Sequence, residues 1–313
     1  MTLPDDLFAA PFRMQPGLRR SAPGARHFTP LLGHEPVFDE KLHVITAHAA
    51  QALLLAPGFD PQPALQRIAQ VLVHEHPQHF ALDGDTLQAH ALRARVHLRS
   101  GALQLAQDAD ARVRAALLAL SAAQAPWGVL ALALHEDLAV PHGDEGVLGA
   151  LAVCVPSHWA PADKIGRPFA AVHAPVADNA LLLAAARGLM QLVMKSDDWE
   201  RYVWTLSPDA HHDAHPARRP PRQWPGTADP HAFVAALTFR LERQTFIALP
   251  PSQAVFTIHV ECTPLAQVLR EPGVAQRLHD SLASMSPAVL GYRGFTAVRE
   301  ALLSGVSTAF TRD

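Results

Sequence analysis

The sequence predicts an α+β fold, an antiparallel sheet with helices, flanked by helical segments at both ends. Three observations carry this expectation. Apolar residues recur with helical spacing through the first third of the chain. Strand-like runs then appear at 129–140, 147–155, 199–206, 239–249 and 255–262. Several links between them are of hairpin length, which argues antiparallel pairing.

Residues 11–36 are rich in Pro, Gly and Arg and are expected to wrap the surface. A helix follows over 40–55, with Leu42, Ile45, Ala49, Ala52 and Leu53 on one face and Pro57-Gly58 as its stop. A second runs from Pro63 to His74 on a stripe of Leu65, Ile68, Ala69 and Leu72, ended by Pro77. Residues 82–96 show no clear period. A third helix is expected over 108–123, with Val113, Leu117 and Leu120 facing inward.

The first two strands flank a turn containing Gly143, Asp144, Glu145 and Gly146. A loop-and-helix stretch, 160–177, and a helix, 181–194, precede the third strand. Residues 209–230, rich in His, Pro and Arg, read as an exposed loop, and Pro250-Pro251-Ser252 links the last two strands. Two or three short helices, divided by Pro272-Gly273, Pro287 and Gly291, fill 265–310. The chain therefore reads as one domain over 1–313. It has a helical part to about 125, a sheet core over about 126–264 and C-terminal helices over about 265–313.

Composition narrows the classes of function. Apolar residues make up 49% of the 313, ample for a core, and the net charge of −3 gives no electrostatic case for a nucleic-acid partner. The basic residues are nearly all Arg, with Lys only at 41, 164 and 195. Cys154 and Cys262 are the two cysteines; both sit in strand-like runs and read as small buried hydrophobes, not as a disulfide framework. The start of the chain is acidic and lacks a charged-then-apolar leader pattern. The apolar run 115–134 is interrupted by Ser121, Gln124 and Pro126, so a membrane span is not expected. The expectation is a soluble, cytoplasmic protein.

The motif inventory excludes several chemistries. Nucleotide loops of the GxGxxG or GxxxxGK[ST] type, a GxSxG elbow and an HExxH helix are all missing. Two thiols cannot hold an iron–sulfur cluster by the usual four-thiolate ligation.

The most informative stretch is 164–176, Lys-Ile-Gly-Arg-Pro-Phe-Ala-Ala-Val-His-Ala-Pro-Val. It sets His173 among apolar residues just ahead of a proline, with the cations Lys164 and Arg167 upstream. A neutral imidazole ligates metal through one nitrogen, and an apolar wall with nearby cations suits haem and its anionic propionates. A buried, hydrogen-bonded histidine explains the same spacing. His158 is the second candidate ligand, although beside Trp159 it reads more simply as a strand-end surface position. His74, His76 and His79, around Pro77, look like surface, and the run His211-His212-Asp213-Ala214-His215 looks like a solvated segment.

On the strand 239–249, side chains alternate, so Arg240 and Glu242 share a face, Gln244 continues it and Arg243 points the other way. An inward face would need these charges to pair with each other or with a ligand; a solvated sheet face would explain the pattern equally well. Glu136 and Asp137 are adjacent, so on a strand they face opposite sides and form no two-carboxylate pair.

Several segments together resemble a known family. Lys164-Ile165-Gly166 with His173-Ala174-Pro175-Val176 is similar to a signature of the haem-dependent oxidative N-demethylase alpha subunits, also called the dimethylamine monooxygenase subunit family. Further likenesses run in order along the chain. Pro11-Phe12-Arg13-Met14 with Gly17-Leu18, Glu136-Asp137-Leu138 and the run from Val153 to Trp159 precede the signature. Phe239 to Thr245, Leu249-Pro250 and Ala254-Val255-Phe256 follow it.

The resemblance implies a PAS-like core, haem b as cofactor and His173 as the axial iron ligand. It implies cofactor-binding roles for Lys164, Arg167 and Arg243, and catalytic-site roles for Glu242, which would attract a protonated amine, and Arg240, which would pair a haem propionate. The implied activity is oxidative N-demethylation of a small secondary or tertiary amine with O2, releasing formaldehyde. Electrons would come from a partner reductase carrying flavin and an iron–sulfur centre. A non-catalytic haem-binding sensor or carrier is the alternative. Arg201 and Trp204 resemble the family's Arg-x-Asn-Trp strand, but Val203 stands where the Asn would be.

Overall fold

Long alternating runs with β-branched and aromatic residues make the backbone of the molecule, a seven-stranded antiparallel sheet. The computed structural model describes residues 3, 4, 6–197 and 199–308. Met1, Thr2 and Asp5 of the N-terminal reading, and Phe310 at the expected end of the last helix, lie outside the described residues.

In chain order the elements begin with β1 (Arg19–Arg20), α1 (Pro36–Ala52), β2 (Leu53–Leu55) and α2 (Gln62–Glu75). Next come β3 (Phe80–Asp83), β4 (Thr86–Ala89), β5 (Ala94–His97), β6 (Leu103–Leu105), α3 (Ala111–Leu118) and α4 (Ala125–Ala133). The central part contains β7 (Asp137–His142), β8 (Val147–Ala152), α5 (Phe169–His173), α6 (Ala180–Val193) and β9 (Trp199–Ser207). It continues with α7 (Pro230–Ala235), β10 (Thr238–Leu249) and β11 (Gln253–Pro264). Helices α8 (Leu265–Val268), α9 (Val274–Ala283), α10 (Pro287–Arg293) and α11 (Arg299–Ser307) follow.

The large sheet has the order β1-β9-β10-β11-β7-β8-β2, so five core strands from the middle of the chain are flanked by two short N-terminal ones. β10 and β11 pair in unbroken register from Thr238↔Pro264 to Leu249↔Gln253. β9 lies along β10 with Gln244↔Arg201 and Glu242↔Val203. Directly opposed residues point to one face, so Arg201, Val203, Glu242 and Gln244 share a side. Helices α1, α2 and α4 bury the main core with strands β7, β8 and β11. The C-terminal helices pack on Trp204, Leu206, Phe239 and Leu241. The excursion between β8 and β9 places Phe169, Met190 and Val193 near Phe246 and Phe256, and Trp159 and Ile165 near Ala139 and Leu151.

Several sequence expectations need correction. Residues 125–133 form a helix where a strand was expected from 129. All nine are buried, and an apolar run enclosed on every side carries no period to separate helix from strand. Pro126 sits at its first turn, where a missing N–H costs nothing. Residues 80–105, read as part of a helical segment, contain the four-stranded meander β3-β4-β5-β6. Its strands of three or four residues are too short to display alternation. Helix α1 starts earlier than expected, and Leu53–Leu55 pair with β8 as an edge strand.

Candidate active site

The site is built on the segment that leaves β8. Asp137 accepts from the backbone N–H groups of Cys154 (3.0 Å) and Val155 (2.7 Å), which turns the chain out of the sheet. The loop that follows is pinned back to β8 by Gly166 N–H to Leu148 O (2.8 Å) and Leu148 N–H to Arg167 O (3.0 Å). Gly166 has φ +73°, a left-handed conformation that explains the glycine of the signature. Pro168 then precedes the short helix α5, which ends at His173. Asn179 Nδ2 donates to His173 O and Ala174 O and closes its C-terminus.

His173 is half-buried and stacks on Phe169, with ring centroids 4.0 Å apart. Its Nδ1 lies 2.8 Å from Phe169 O. A carbonyl oxygen only accepts, so Nδ1 carries the proton. Burial, helped by Lys164 and Arg201, lowers its pKa to about 4. The ring is therefore neutral near pH 7 and Nε2 is a bare lone pair, with no hydrogen-bond partner among the described residues. Anchoring one nitrogen on a main-chain carbonyl while the other stays free is how metal-ligating histidines are oriented.

Opposite α5 stands the sheet face carrying Glu242. Its carboxylate accepts from Ser157 Oγ and, at 2.6 Å, from Gln244 Nε2. Ser157 in turn receives Arg240 Nε at 2.7 Å. Lys164 is lowered in pKa by burial, opposed by Glu242 and Asp163, and its Nζ sits 4.5 Å above the Trp159 ring. Arg201 is lowered by burial, opposed by Glu242. Both side chains are partly exposed.

His173, Lys164 and Glu242 thus belong to one electrostatic cluster. Arg240 stands behind it, 1% exposed. Its donors reach Ser157 Oγ, His211 O, Val155 O, His212 O and, at 3.6 Å, Cys262 Sγ. A guanidinium has five N–H donors, so none is left for a carboxylate ligand. Arg167 is exposed and takes part through its main chain. Arg243 lies on the other face, bonded to Glu200 (3.0 Å) and Arg26 O (2.8 Å).

His158 has φ +63°. Burial, then Arg222 and Arg240, lowers its pKa to about 4, and its Nε2 is enclosed without a partner. Glu136 and Asp137, both 1% exposed, belong to separate networks. Glu136 bonds Thr29 N–H and His259, while Asp137 pairs with Lys41 at 3.1 Å.

Two surface readings are corrected. His76 is buried, its Nε2 on Phe28 O at 2.8 Å. The run expected to be solvated folds inward instead, with Asp213, Ala214 and His215 buried. Asp213 forks onto Arg218, and Glu40 accepts the His212 and Asp213 N–H groups. Fixed partners for the Asp213 carboxylate and for the His212 and Asp213 N–H groups make burial of this polar segment tolerable. Ser157 was the residue sequence reasoning missed; nothing local marks a serine that bridges two opposite charges of a strand distant in the chain.

A sheet face and a helical excursion thus bring together one free imidazole, a tethered carboxylate and two cations, a donor set suited to a cofactor or ligand. Residues 37–303 match the model of a family described as haem-dependent oxidative N-demethylase, alpha subunit-like. The match spans most of the chain, which belongs to this family.

Proposed function

We propose that this cluster binds haem b through His173 Nε2 and that the chain is the oxygenase subunit of an oxidative N-demethylase. The neutral, carbonyl-anchored imidazole with its free Nε2 carries this reading. Five core strands with two helices inserted after the second support the PAS-like arrangement. Phe169, Ile165, Trp159 and Phe256 offer an apolar wall, and Lys164 and Arg201 offer cations for the propionates. Arg167 and Arg243 stand outside the cluster, and Arg240 acts by holding Ser157 rather than by binding the cofactor.

Haem, when bound, supplies a reducible iron that activates O2 for oxidation of an N-methyl carbon. The protein's part is positioning. Glu242 is oriented by Ser157 and Gln244, and each of its oxygens keeps a second lone pair. A secondary or tertiary ammonium donates its N–H there. Val203, directly across from Glu242, receives the methyl groups against an apolar surface. The aromatic walls exclude bulk water. Electrons arrive from a partner reductase with flavin and an iron–sulfur centre, and the products are formaldehyde and the demethylated amine.

The test is spectroscopic and chemical. Haem titrated into the purified chain gives a saturable Soret band, which His173→Ala abolishes or shifts. Dithionite-reduced, haem-loaded protein exposed to O2 with dimethylamine or trimethylamine releases formaldehyde. A band unchanged by His173→Ala, or no formaldehyde from either amine, overturns the reading.

A further inference from the structure

We propose that Arg201 is a carboxylate-binding subsite on the sheet face that carries Glu242. Arg201 lies on β9 opposite Gln244, two pairs along from Glu242↔Val203, so its side chain projects from the same face as Glu242. Its Nε is shut off from solvent and has no hydrogen-bond partner. No carboxylate lies within ion-pair distance of it among the described residues. Two other enclosed arginines have their Nε engaged, Arg240 by Ser157 and Arg218 by Asp213.

Glu242 is the one carboxylate that acts on Arg201, and its oxygens already receive Ser157 and Gln244, whereas Lys164 has Asp163 as well. An enclosed Nε–H without an acceptor is costly unless a ligand supplies one. A planar guanidinium with unused donors matches a carboxylate in bidentate geometry. Two sources present that group. One is a porphyrin propionate, which rests on the haem reading above. The other is an acidic N-methyl substrate, such as an N-methyl amino acid whose ammonium would meet Glu242.

The probes are iron-free protoporphyrin IX, its dimethyl ester and sarcosine, each with the full chain and with Arg201→Gln. Because the porphyrin lacks iron, its binding does not depend on His173. Removing an unpaired buried charge leaves the ligand-free melting temperature equal or higher. If a propionate is the partner, Arg201→Gln weakens protoporphyrin IX about tenfold or more, the equivalent of one lost charge-assisted pair. The dimethyl ester then binds both proteins alike. If the substrate carboxylate is the partner, porphyrin binding is unchanged, while sarcosine raises the melting temperature of the wild type and not of Arg201→Gln. That second result also supports the subsite if the wild type takes up no porphyrin, an outcome that sinks the haem reading alone.

A marked fall in the ligand-free melting temperature of Arg201→Gln would make Arg201 a structural residue and overturn the proposal. Equal behaviour of the two proteins toward all three probes overturns it as well.

Discussion

Lys41 shows how one side chain holds the site at a distance. It is fully buried, and its Nζ donates to Leu134 O (3.0 Å) and Glu136 O (2.9 Å) while pairing with Asp137 (3.1 Å). Three donors in a cone meet three acceptors, a geometry suited to a compact ammonium rather than a planar fork. In a chain whose cations are nearly all Arg, Lys41 and Lys164 both sit in enclosed positions, so the rarity of lysine was a usable signal. Asp137, held by Lys41, caps the N–H groups that steer the chain toward Ser157. Lys41→Met leaves the Asp137 charge uncompensated and should cost about 3–5 kcal/mol. The loss is read from the urea midpoint at constant m-value. A loss below about 1 kcal/mol, within the range of exposed ion pairs, would show that the buried pair has little structural weight. The saturation of Arg240 was not legible from sequence, because its partners are main-chain carbonyls that any residue supplies.

At the scale of elements, the long strands were readable and the short or fully enclosed ones were not. β10 and β11 run for twelve residues each and are rich in β-branched and aromatic residues, long enough to be read as strands. Helix α4 and the meander β3–β6 escaped because burial on all sides erases periodicity and brevity hides it. The face shared by Arg240, Glu242 and Gln244 followed from alternation alone, whereas the inward fold of 212–215 depends on Glu40 and Arg240, distant in the chain. The turn before α5 gives the element-scale prediction. Gly166 has open space where a Cβ would lie, so substitution there meets only the left-handed backbone penalty. Gly166→Val should cost about 1–2 kcal/mol, and any relief of that strain moves the bonds to Leu148 and with them Lys164. The check is denaturant unfolding beside haem titration. A variant with unchanged stability and unchanged haem affinity would show that this turn is not under conformational constraint.

At the scale of the whole molecule, histidines held neutral tie stability to pH. His135 stacks on His259 at 3.8 Å and donates Nε2–H to Val260 O at 2.7 Å. Burial, then the neighbouring His259, pushes its pKa down to about 3, and His158 on the segment leaving β8 is lowered to about 4. Each titrates near its ordinary value of 6.5 once the chain unfolds. Between 6.5 and about 4 the unfolded state therefore binds more protons than the folded one, and stability falls as pH falls. One fully linked proton contributes at most about 1.4 kcal/mol per pH unit, and a half-accessible ring contributes less. His135→Gln keeps an N–H for Val260 O but takes up no proton, so its melting temperature should decline less steeply between pH 7 and pH 5 than that of the wild type. The two curves should converge at the acid end, where the wild type has lost what its neutral imidazole contributed. Parallel curves would mean that His135 is as easily protonated in the folded chain as outside it, and that the stacked pair at the heart of the sheet is open to water.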